Sequence, residues 1–193
     1  DVEQYQILKS LQIIQTKYVA LLLRLGQRAL QWKDVTLAGR THYAAAQPTT
    51  LGKRMAMFGE EMLGAIGRLS TLVESYPLRG LKGAVGTALD QFTLLDGDLE
   101  RLKKLQAQVR HHLGFRRELG AVGQIYPRSL DFDAISCLYQ LGAGIANLAR
   151  TIRLMAGNEM VTEGFAAGQV GSSAMPHKMN TRSTERVNGL QVV

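Results

Sequence analysis

The chain has 193 residues, and 23 Lys and Arg against 16 Asp and Glu give it a net charge of +7 at neutral pH. This length predicts one domain or part of a larger one, and 46% hydrophobic residues exclude a wholly disordered chain. The longest apolar run, residues 19–23, is far shorter than the roughly 20 residues that a membrane span requires, so no membrane partner is expected. Cys137 is the only cysteine, which excludes an internal disulfide and a multi-cysteine zinc site.

Apolar residues recur every three or four positions through most of the sequence, which is typical of amphipathic helices. The spacing predicts five helices, at about residues 5–30, 48–76, 90–112 and 129–160 and from near Thr181 onward. Pro48 is predicted in the first turn of the second helix, after a break over residues 33–47. Gly114 is predicted to cap the C-terminus of the third helix.

The predicted fold class is all-α, a bundle of long helices. Several of the apolar stripes cover a wide arc, so one neighbouring helix would not bury them. No strand-period alternation of useful length is found, and no internal repeat of about 20 to 50 residues. The sequence therefore predicts a bundle that is completed by other subunits or by further chain.

The most unusual segment is the serine loop, residues 162–180, which joins the last two predicted helices. It combines flexible glycines with the hydroxyls of Ser172 and Ser173, the cation of Lys178 and the amide of Asn180. This mixture favours a mobile flap that closes on an anionic ligand beside a helix N-terminus. The same composition is typical of a Gly/Ser linker without chemistry, so both interpretations stay open.

A second candidate is the segment of residues 39–50, in which His42 lies in a polar break ahead of a helix. Histidine is the side chain best suited to exchange protons near neutral pH, although a structural histidine bonded to a helix end would give the same pattern. His111 and His112 are adjacent on a helix and face different directions, so they make a poor chelating pair. His177 lies in the serine loop, where a surface role explains it equally well.

The basic residues between positions 101 and 117 alternate with Leu and Gln and are interpreted as a solvated helix face. With few aromatic residues and no recognised binding motif, no nucleic-acid partner is expected. The sequence also has no P-loop, no GxGxxG after a strand and no HExxH motif. Neither a metal nor a cofactor is predicted.

Residues 171–180, GSSAMPHKMN, match the pattern GSSxMPxKxN of the fumarase/aspartase superfamily at every fixed position. The chain resembles that superfamily over nearly its whole length, and within it the adenylosuccinate lyase family. Four further stretches carry this likeness: GRTH at 39–42, QPTTLGKR at 47–54, KGAVGT at 82–87 and RSTER at 182–186. The sequence departs from the family pattern at Thr181, at Ala44–Ala46 and at Ala88, where some members place a substrate-binding glutamine.

The resemblance implies that residues 1–193 are the central helical domain of a longer chain, with its N-terminal and C-terminal domains absent. It implies a cytoplasmic homotetramer in which three subunits build each active site, so that the histidine and the serine loop come from different chains. The implied activity is a β-elimination in purine synthesis. It releases fumarate from adenylosuccinate or from the related succinyl-imidazole-carboxamide ribotide, a small-molecule nucleotide, without a cofactor.

Carried over by position, Ser172 is the catalytic base and His42 the acid that protonates the departing nitrogen. Lys178 and Asn180 would stabilise the charge that builds on a carboxylate, and Thr41 would bind the succinyl carboxylate. The other substrate-binding residues that the resemblance implies are Arg40, Ser173, Thr87, Gln124 and Arg186. A serine hydroxyl acts as a base at neutral pH only if its surroundings lower its pKa. Backbone amides, a helix terminus and Lys178 are expected to do so.

Other functions fit parts of the pattern. Argininosuccinate lyase and carboxymuconate-type cycloisomerases share the serine loop, but the stretch at 47–54 argues against them. A non-catalytic helical scaffold that kept the fold after losing activity is a third possibility. It has no need of Ser172, Lys178, Asn180 and His42 together, and all four are present.

Overall fold

A computed structural model describes residues 1–192, which form six helices and four short strands. In chain order these are α1 Val2–Gln31, β1 Thr36–Thr41, β2 Ala44–Thr50, α2 Leu51–Ser75, β3 Pro77–Leu78, α3 Leu89–Leu94, α4 Leu99–His112, β4 Arg117–Glu118, α5 Ser129–Gly157 and α6 Arg182–Val192. Helices dominate, so the predicted all-α class is confirmed. None of the helices described here is long and apolar enough to cross a membrane.

The chain between α1 and α2 forms an antiparallel hairpin of β1 and β2 instead of an irregular break. The prediction that Pro48 lies in the first turn of a helix is wrong, because Pro48 pairs with Ala38 in the hairpin and α2 begins at Leu51. A two-stranded hairpin tolerates proline because its strands are both edges and need no donor there. Thr50 supplies the helix cap, since its Oγ1 accepts the backbone N–H of Lys53 at 3.1 Å.

The prediction of a single helix over residues 90–112 is also wrong, because this segment forms two helices, α3 and α4. Asp96 and Gly97 have positive φ angles of 54° and 76°, a conformation that ends a helix. Asp98 then starts α4, since its carboxylate accepts two backbone N–H groups of the first turn, both at 3.0 Å. The Asp-Gly-Asp sequence is a turn signal that the apolar periodicity obscures.

The predicted cap at the end of α4 is confirmed. Gly114 has a φ of 80° and donates its N–H to the His111 carbonyl at 3.0 Å. The next residue, Phe115, donates to the Arg110 carbonyl at 3.0 Å. This pair of bonds is the Schellman motif, which satisfies carbonyls that the helix end leaves free.

The first of two compact units comprises residues 1–19 and 66–138. Its buried apolar cluster is formed by Leu8, Tyr76, Leu78 and Phe115. Strands β3 and β4 pair in parallel. Because the two strands run the same way, the segments that follow them, residues 80–88 and 119–128, leave the pair at the same edge. We call these two segments the paired loops.

The second unit comprises, among the described residues, 20–65 and 139–192. Helices α2 and α5 pack closely in it, since a Cβ on Gly144 would lie 3.0 Å from Met62 Cγ. Asn147 adds a polar tie, donating to both carboxylate oxygens of Glu61 at 3.1 and 3.2 Å. Gly52 packs directly on the backbone of α1, which fixes the start of α2 and the end of the hairpin.

Candidate active site

His42 lies in the two-residue turn of the hairpin, in a strained backbone conformation. The φ angles of His42 and Tyr43 are 48° and 65°, the left-handed region that such turns require and that residues other than glycine adopt at a cost of about 1–2 kcal/mol each. Arg40 Nη1 donates to the Tyr43 carbonyl at 2.7 Å and closes the turn. Strain held by such a contact is characteristic of functional positions.

Two cavities flank this turn in the second unit. His42 lines a cavity of about 390 Å³, and Thr41 and Lys53 line one of about 730 Å³. Arg40 and Arg54 line both. Among the described residues, no aspartate or glutamate lines either cavity, so the local charge is positive and favours an anionic ligand.

The serine loop is closed on itself by its backbone. Gly171 lies directly against the Lys178 carbonyl, where an added Cβ would collide with the carbonyl oxygen. Asn180 Nδ2 donates to the Gly171 carbonyl at 3.1 Å, and the Lys178 N–H donates to the Met175 carbonyl at 3.0 Å. The two ends of the signature sequence therefore meet, and the residues between them form a compact turn.

Ser172 is half-buried inside this turn. Its Oγ accepts the backbone N–H groups of Ala174 at 3.3 Å and Met175 at 3.4 Å. Donors aimed at an oxygen favour its charged form over its neutral form. The backbone amides that a basic serine needs are therefore present, whereas the side chains of Ser173 and Lys178 are exposed.

Glu163 joins the beginning of the serine loop to the helix that follows it. Its carboxylate accepts the backbone N–H of Ser183 at 3.1 Å and both the N–H and the hydroxyl of Thr184, also at 3.1 Å. Burial alone would raise the pKa of Glu163, but the hydrogen bonds from Thr184 and Ser183 outweigh it and hold the pKa below its ordinary value. A carboxylate 20 residues away thus serves as the N-terminal cap of α6.

Arg186, on α6, lines a third cavity of about 950 Å³ in the second unit. The apolar side of this cavity includes Trp32 and Met55, and its polar side includes Glu163 and Gln169. The cavity therefore lies beside the start of the serine loop. Neither Ser172 nor His42 lines it.

Thr87 and Gln124 lie in the first unit, one on each of the paired loops, and both are exposed. The Thr87 carbonyl accepts the N–H of Gly83 at 2.6 Å, which makes the first loop a tight turn. Gly86 has a φ of 80° and contacts the Val122 carbonyl so closely that no Cβ fits between them. The two loops are therefore in direct backbone contact.

The structure places the predicted site residues in three sets, and Arg186 lies apart from them on α6. Arg40, Thr41 and His42 form one set in the hairpin, the predicted residues of the serine loop form another, and Thr87 and Gln124 form the third. Neither cavity beside the hairpin is lined by Ser172. The roles assigned to all these residues stay predictions.

Sequence reasoning missed three side chains that organise these sets, Glu163, Arg54 and Arg79. Glu163 and Arg79 occupy sequence positions without a chemical motif, and their importance comes from contacts with residues distant in the chain, whereas Arg54 ends the stretch at 47–54 and lines both cavities beside the hairpin. His177, for which a surface role is among the interpretations, is exposed, as are His111 and His112. Within residues 1–192 no group of three or more His, Cys, Asp and Glu side chains is close enough to hold a metal ion.

Comparison with known sequences gives a consistent result. Residues 4–193 match a protein family described as lyase. The chain is 37% identical over 171 residues to adenylosuccinate lyase of Schizosaccharomyces pombe, covering 89% of this chain and 36% of that protein. It is 36% identical over 178 residues to the Saccharomyces cerevisiae adenylosuccinate lyase, covering 92% and 37%. For that of Archaeoglobus fulgidus the identity is 35% over 187 residues, covering 96% and 40%. The chain spans a little more than a third of the length of these relatives.

Proposed function

Since this chain belongs to the lyase family that it matches over residues 4–193, we propose that it forms part of an enzyme that eliminates fumarate from adenylosuccinate. The products are AMP and fumarate. The same chemistry acts on the succinyl-imidazole-carboxamide ribotide of purine synthesis. The curated relatives named adenylosuccinate lyase support this choice of substrate.

The reaction begins at the carbon beside a carboxylate of the succinyl group. Ser172, as an alkoxide, removes a proton from this carbon, and the electron pair is delocalised into the carboxylate. That pair then forms the carbon–carbon double bond of fumarate while the carbon–nitrogen bond breaks. His42 donates a proton to the departing nitrogen, which leaves as the amine of AMP.

The observation that carries this proposal is the environment of Ser172 Oγ. Two backbone N–H groups point at this oxygen, and Gly171 and Asn180 close the turn around it. Such donors stabilise developing negative charge without having to reorganise. Lys178, on the same turn, is the cation that would approach the substrate carboxylate when the loop shuts.

We propose that Ser172 and His42 meet between subunits of a homotetramer. In support, Ser172 lines neither cavity beside His42 in the same chain. Helix α5 also exposes Phe132, Ile135 and Tyr139, at 72%, 64% and 67% of their surface. Because these residues are three and four positions apart, they form one apolar face, which a neighbouring helix would bury.

The location that fits this function is the cytoplasm, where nucleotide precursors are made. Cell fractionation of the source organism tests it directly. A signal in a membrane or secreted fraction would contradict the proposal on location without affecting the proposed chemistry.

The decisive experiment measures fumarate release from adenylosuccinate by the complete, assembled protein. We expect turnover of adenylosuccinate and little or none of argininosuccinate or carboxymuconate in a parallel panel. Ser172→Ala is the control for fumarate release that does not depend on the proposed base, and Gly164→Ala, in the same loop but not among the predicted site residues, controls for disturbance of the loop. A folded tetramer that turns over another member of the panel, or none, would overturn the substrate assignment.

A further inference from the structure

Arg79 lies between β3 and the first of the paired loops and is 92% buried, with only 8% of its surface exposed. It immediately follows β3 and lies in the same unit as both loops. Burying a guanidinium is costly unless its N–H groups find acceptors. The partners of Arg79 therefore show what the burial achieves.

The guanidinium of Arg79 donates to backbone carbonyls on both paired loops. Nε and Nη2 donate to the Gly123 carbonyl at 3.2 and 2.8 Å. Nη2 also donates to the Gly83 carbonyl at 2.8 Å, and Nη1 donates to the Lys82 carbonyl at 2.9 Å and to that of Gly80 at 3.5 Å. One planar group thus bridges the two loops.

The acceptors are neutral, and in residues 1–192 no carboxylate is within ion-pair distance of this guanidinium. A paired arginine would be explained by charge neutralisation. Here the fixed fork of five donors matches a set of carbonyls that approach from two directions. Lysine has a single nitrogen and cannot reproduce this geometry.

Each loop contacted by Arg79 carries one predicted substrate-binding residue next to the contact. Gly123 directly precedes Gln124, and Gly83 is hydrogen-bonded to the Thr87 carbonyl. The two loops also contact each other directly, where Gly86 of the first loop meets the Val122 carbonyl of the second. Moving either loop relative to the other would therefore change the distance between Thr87 and Gln124.

We infer that Arg79 is a positioning residue that sets the spacing of Thr87 and Gln124 for substrate binding. This rests on the proposed function, in which both residues bind the nucleotide substrate. Arg79 itself is buried behind the loops and contacts no substrate. Its loss weakens ground-state binding and leaves the chemistry of Ser172 and His42 largely intact.

The test compares Arg79→Lys with Gln4→Met in the complete, assembled protein. Gln4 is fully buried, donates to the Pro77 carbonyl and accepts the Arg79 backbone N–H, and neither of these partners belongs to the paired loops. Both variants lose buried hydrogen bonds near β3, so both lose stability. Only Arg79→Lys is expected to raise the KM for adenylosuccinate. The expected rise is about tenfold, which corresponds to the loss of one to two hydrogen bonds between the displaced loops and the substrate. The kcat is expected to fall less than about threefold.

Amide hydrogen exchange supplies a readout that does not depend on the substrate. In Arg79→Lys, we expect faster exchange at the paired loops, including the amides of Gly83 and Gly86, and wild-type rates there in Gln4→Met. If Arg79→Lys does not fold, Gly86→Ala takes its place, because its methyl group pushes the same loops apart at the Val122 carbonyl.

The outcomes separate this inference from the proposed function. Wild-type protein without fumarate release contradicts the proposed function, and exchange at the paired loops then still decides whether Arg79 holds them. Active wild-type protein in which Arg79→Lys keeps its KM, or in which Gln4→Met raises it equally, overturns the inference. A kcat that falls as far as KM rises would also overturn it, since Arg79 would then act on the chemical step.

Discussion

The paired loops and the serine loop both carry predicted site residues, but they differ in burial and in the hydrogen bonds that hold them. The paired loops are held by buried cations: Arg79 bridges them, and Lys82 Nζ bonds Glu118, the Arg79 carbonyl and the Leu119 carbonyl at 2.7 to 2.9 Å. The serine loop is mostly exposed and is held by Glu163 at its base and by Asn180 inside it.

This difference indicates that the paired loops serve substrate binding and that the serine loop serves the chemical step. Segments with many buried hydrogen bonds open rarely, and exposed segments with few bonds open at low free-energy cost. A binding surface gains from rigid spacing, whereas a base that must exclude water during the reaction gains from a loop that can close. Substitutions in the two regions should therefore affect different kinetic and thermodynamic quantities.

The largest effect is expected for Ser172→Ala in the complete protein. Turnover should fall by about 10³-fold or more, because the proton acceptor is lost. The melting temperature should change little, since Ser172 lies outside the apolar core. Steady-state fumarate release and thermal unfolding measure the two quantities. If the melting temperature fell strongly together with turnover, Ser172 would have a structural role instead of a catalytic one.

His42→Ala should lower turnover by about 10²- to 10⁴-fold, the range for a lost general acid. Mixing the inactive His42→Ala and Ser172→Ala proteins, with exchange of subunits, should restore part of the activity if the two residues come from different chains. Exchange confirmed by native mass spectrometry without any recovered activity would contradict the shared site.

Gly171→Ala tests the closure of the serine loop. Its Cβ would collide with the Lys178 carbonyl, so the loop must open and move Ser172, and we expect turnover to fall by about 10²-fold, as for a catalytic group displaced by about 1 Å. Gly164→Ala is the matched control: Gly164 has a φ of 70° but no atom within 4 Å of an added Cβ. Gly164→Ala therefore introduces backbone strain without a collision, so equal losses of turnover in the two variants would show that any disturbance of the loop lowers turnover and that the contact between Gly171 and the Lys178 carbonyl has no particular role.

The helices of this chain could be predicted because their physical cause is local. Apolar residues at helical spacing and the glycine at the end of α4 are visible in the sequence. The hairpin could not be predicted, because its turn has His42 and Tyr43 where a glycine-containing pair is usual. Pro48 also gave a false helix signal in a segment whose strands are short and exposed.

The candidate site divides in the same way. Ser172 and Asn180 are found from the motif, because the chemistry requires those side chains in one short segment. Glu163 and Arg79 could not be found, since a carboxylate that caps a helix 20 residues away and a guanidinium that bonds carbonyls of two loops have no sequence signature. Their roles arise from tertiary contacts alone.

A smaller effect, which depends on pH, is expected at the base of the serine loop. The pKa of Glu163 is lowered in the folded state, so its contribution to stability is complete above the ordinary carboxyl pKa of about 4.3 and is lost as the pH falls through the folded-state value. Amide exchange of Ser183 and Thr184 should therefore accelerate below that range. Glu163→Gln should remove this pH dependence, while exchange at the paired loops should stay unchanged; acceleration at both places would indicate global acid unfolding.

The smallest effect is a change in stability that is expected from Tyr76, in the buried apolar cluster of the first unit. Tyr76 is 99% buried, with 1% of its surface exposed, and its hydroxyl has no hydrogen-bond partner among residues 1–192. Burial, and secondarily the nearby carboxylates, raise its pKa from 10.0 to about 12. Above about pH 10 the tyrosine loses its proton in the unfolded state but keeps it in the folded state, which favours unfolding. The free energy of unfolding should therefore decline between about pH 10 and 12. Tyr76→Phe should remove the part of this decline that Tyr76 causes.

At neutral pH the same substitution should raise the free energy of unfolding by about 1 kcal/mol, because it removes an unpartnered buried hydroxyl. Tyr43→Phe, in the exposed hairpin turn at 72% exposure, is the control and should leave stability unchanged. Urea unfolding of both variants at pH 7 and pH 11 measures the two effects. If Tyr76→Phe is destabilising at pH 7, its hydroxyl has a partner such as a buried water, and the first unit is then held by polar contacts in its core as well as by Arg79 at its loops.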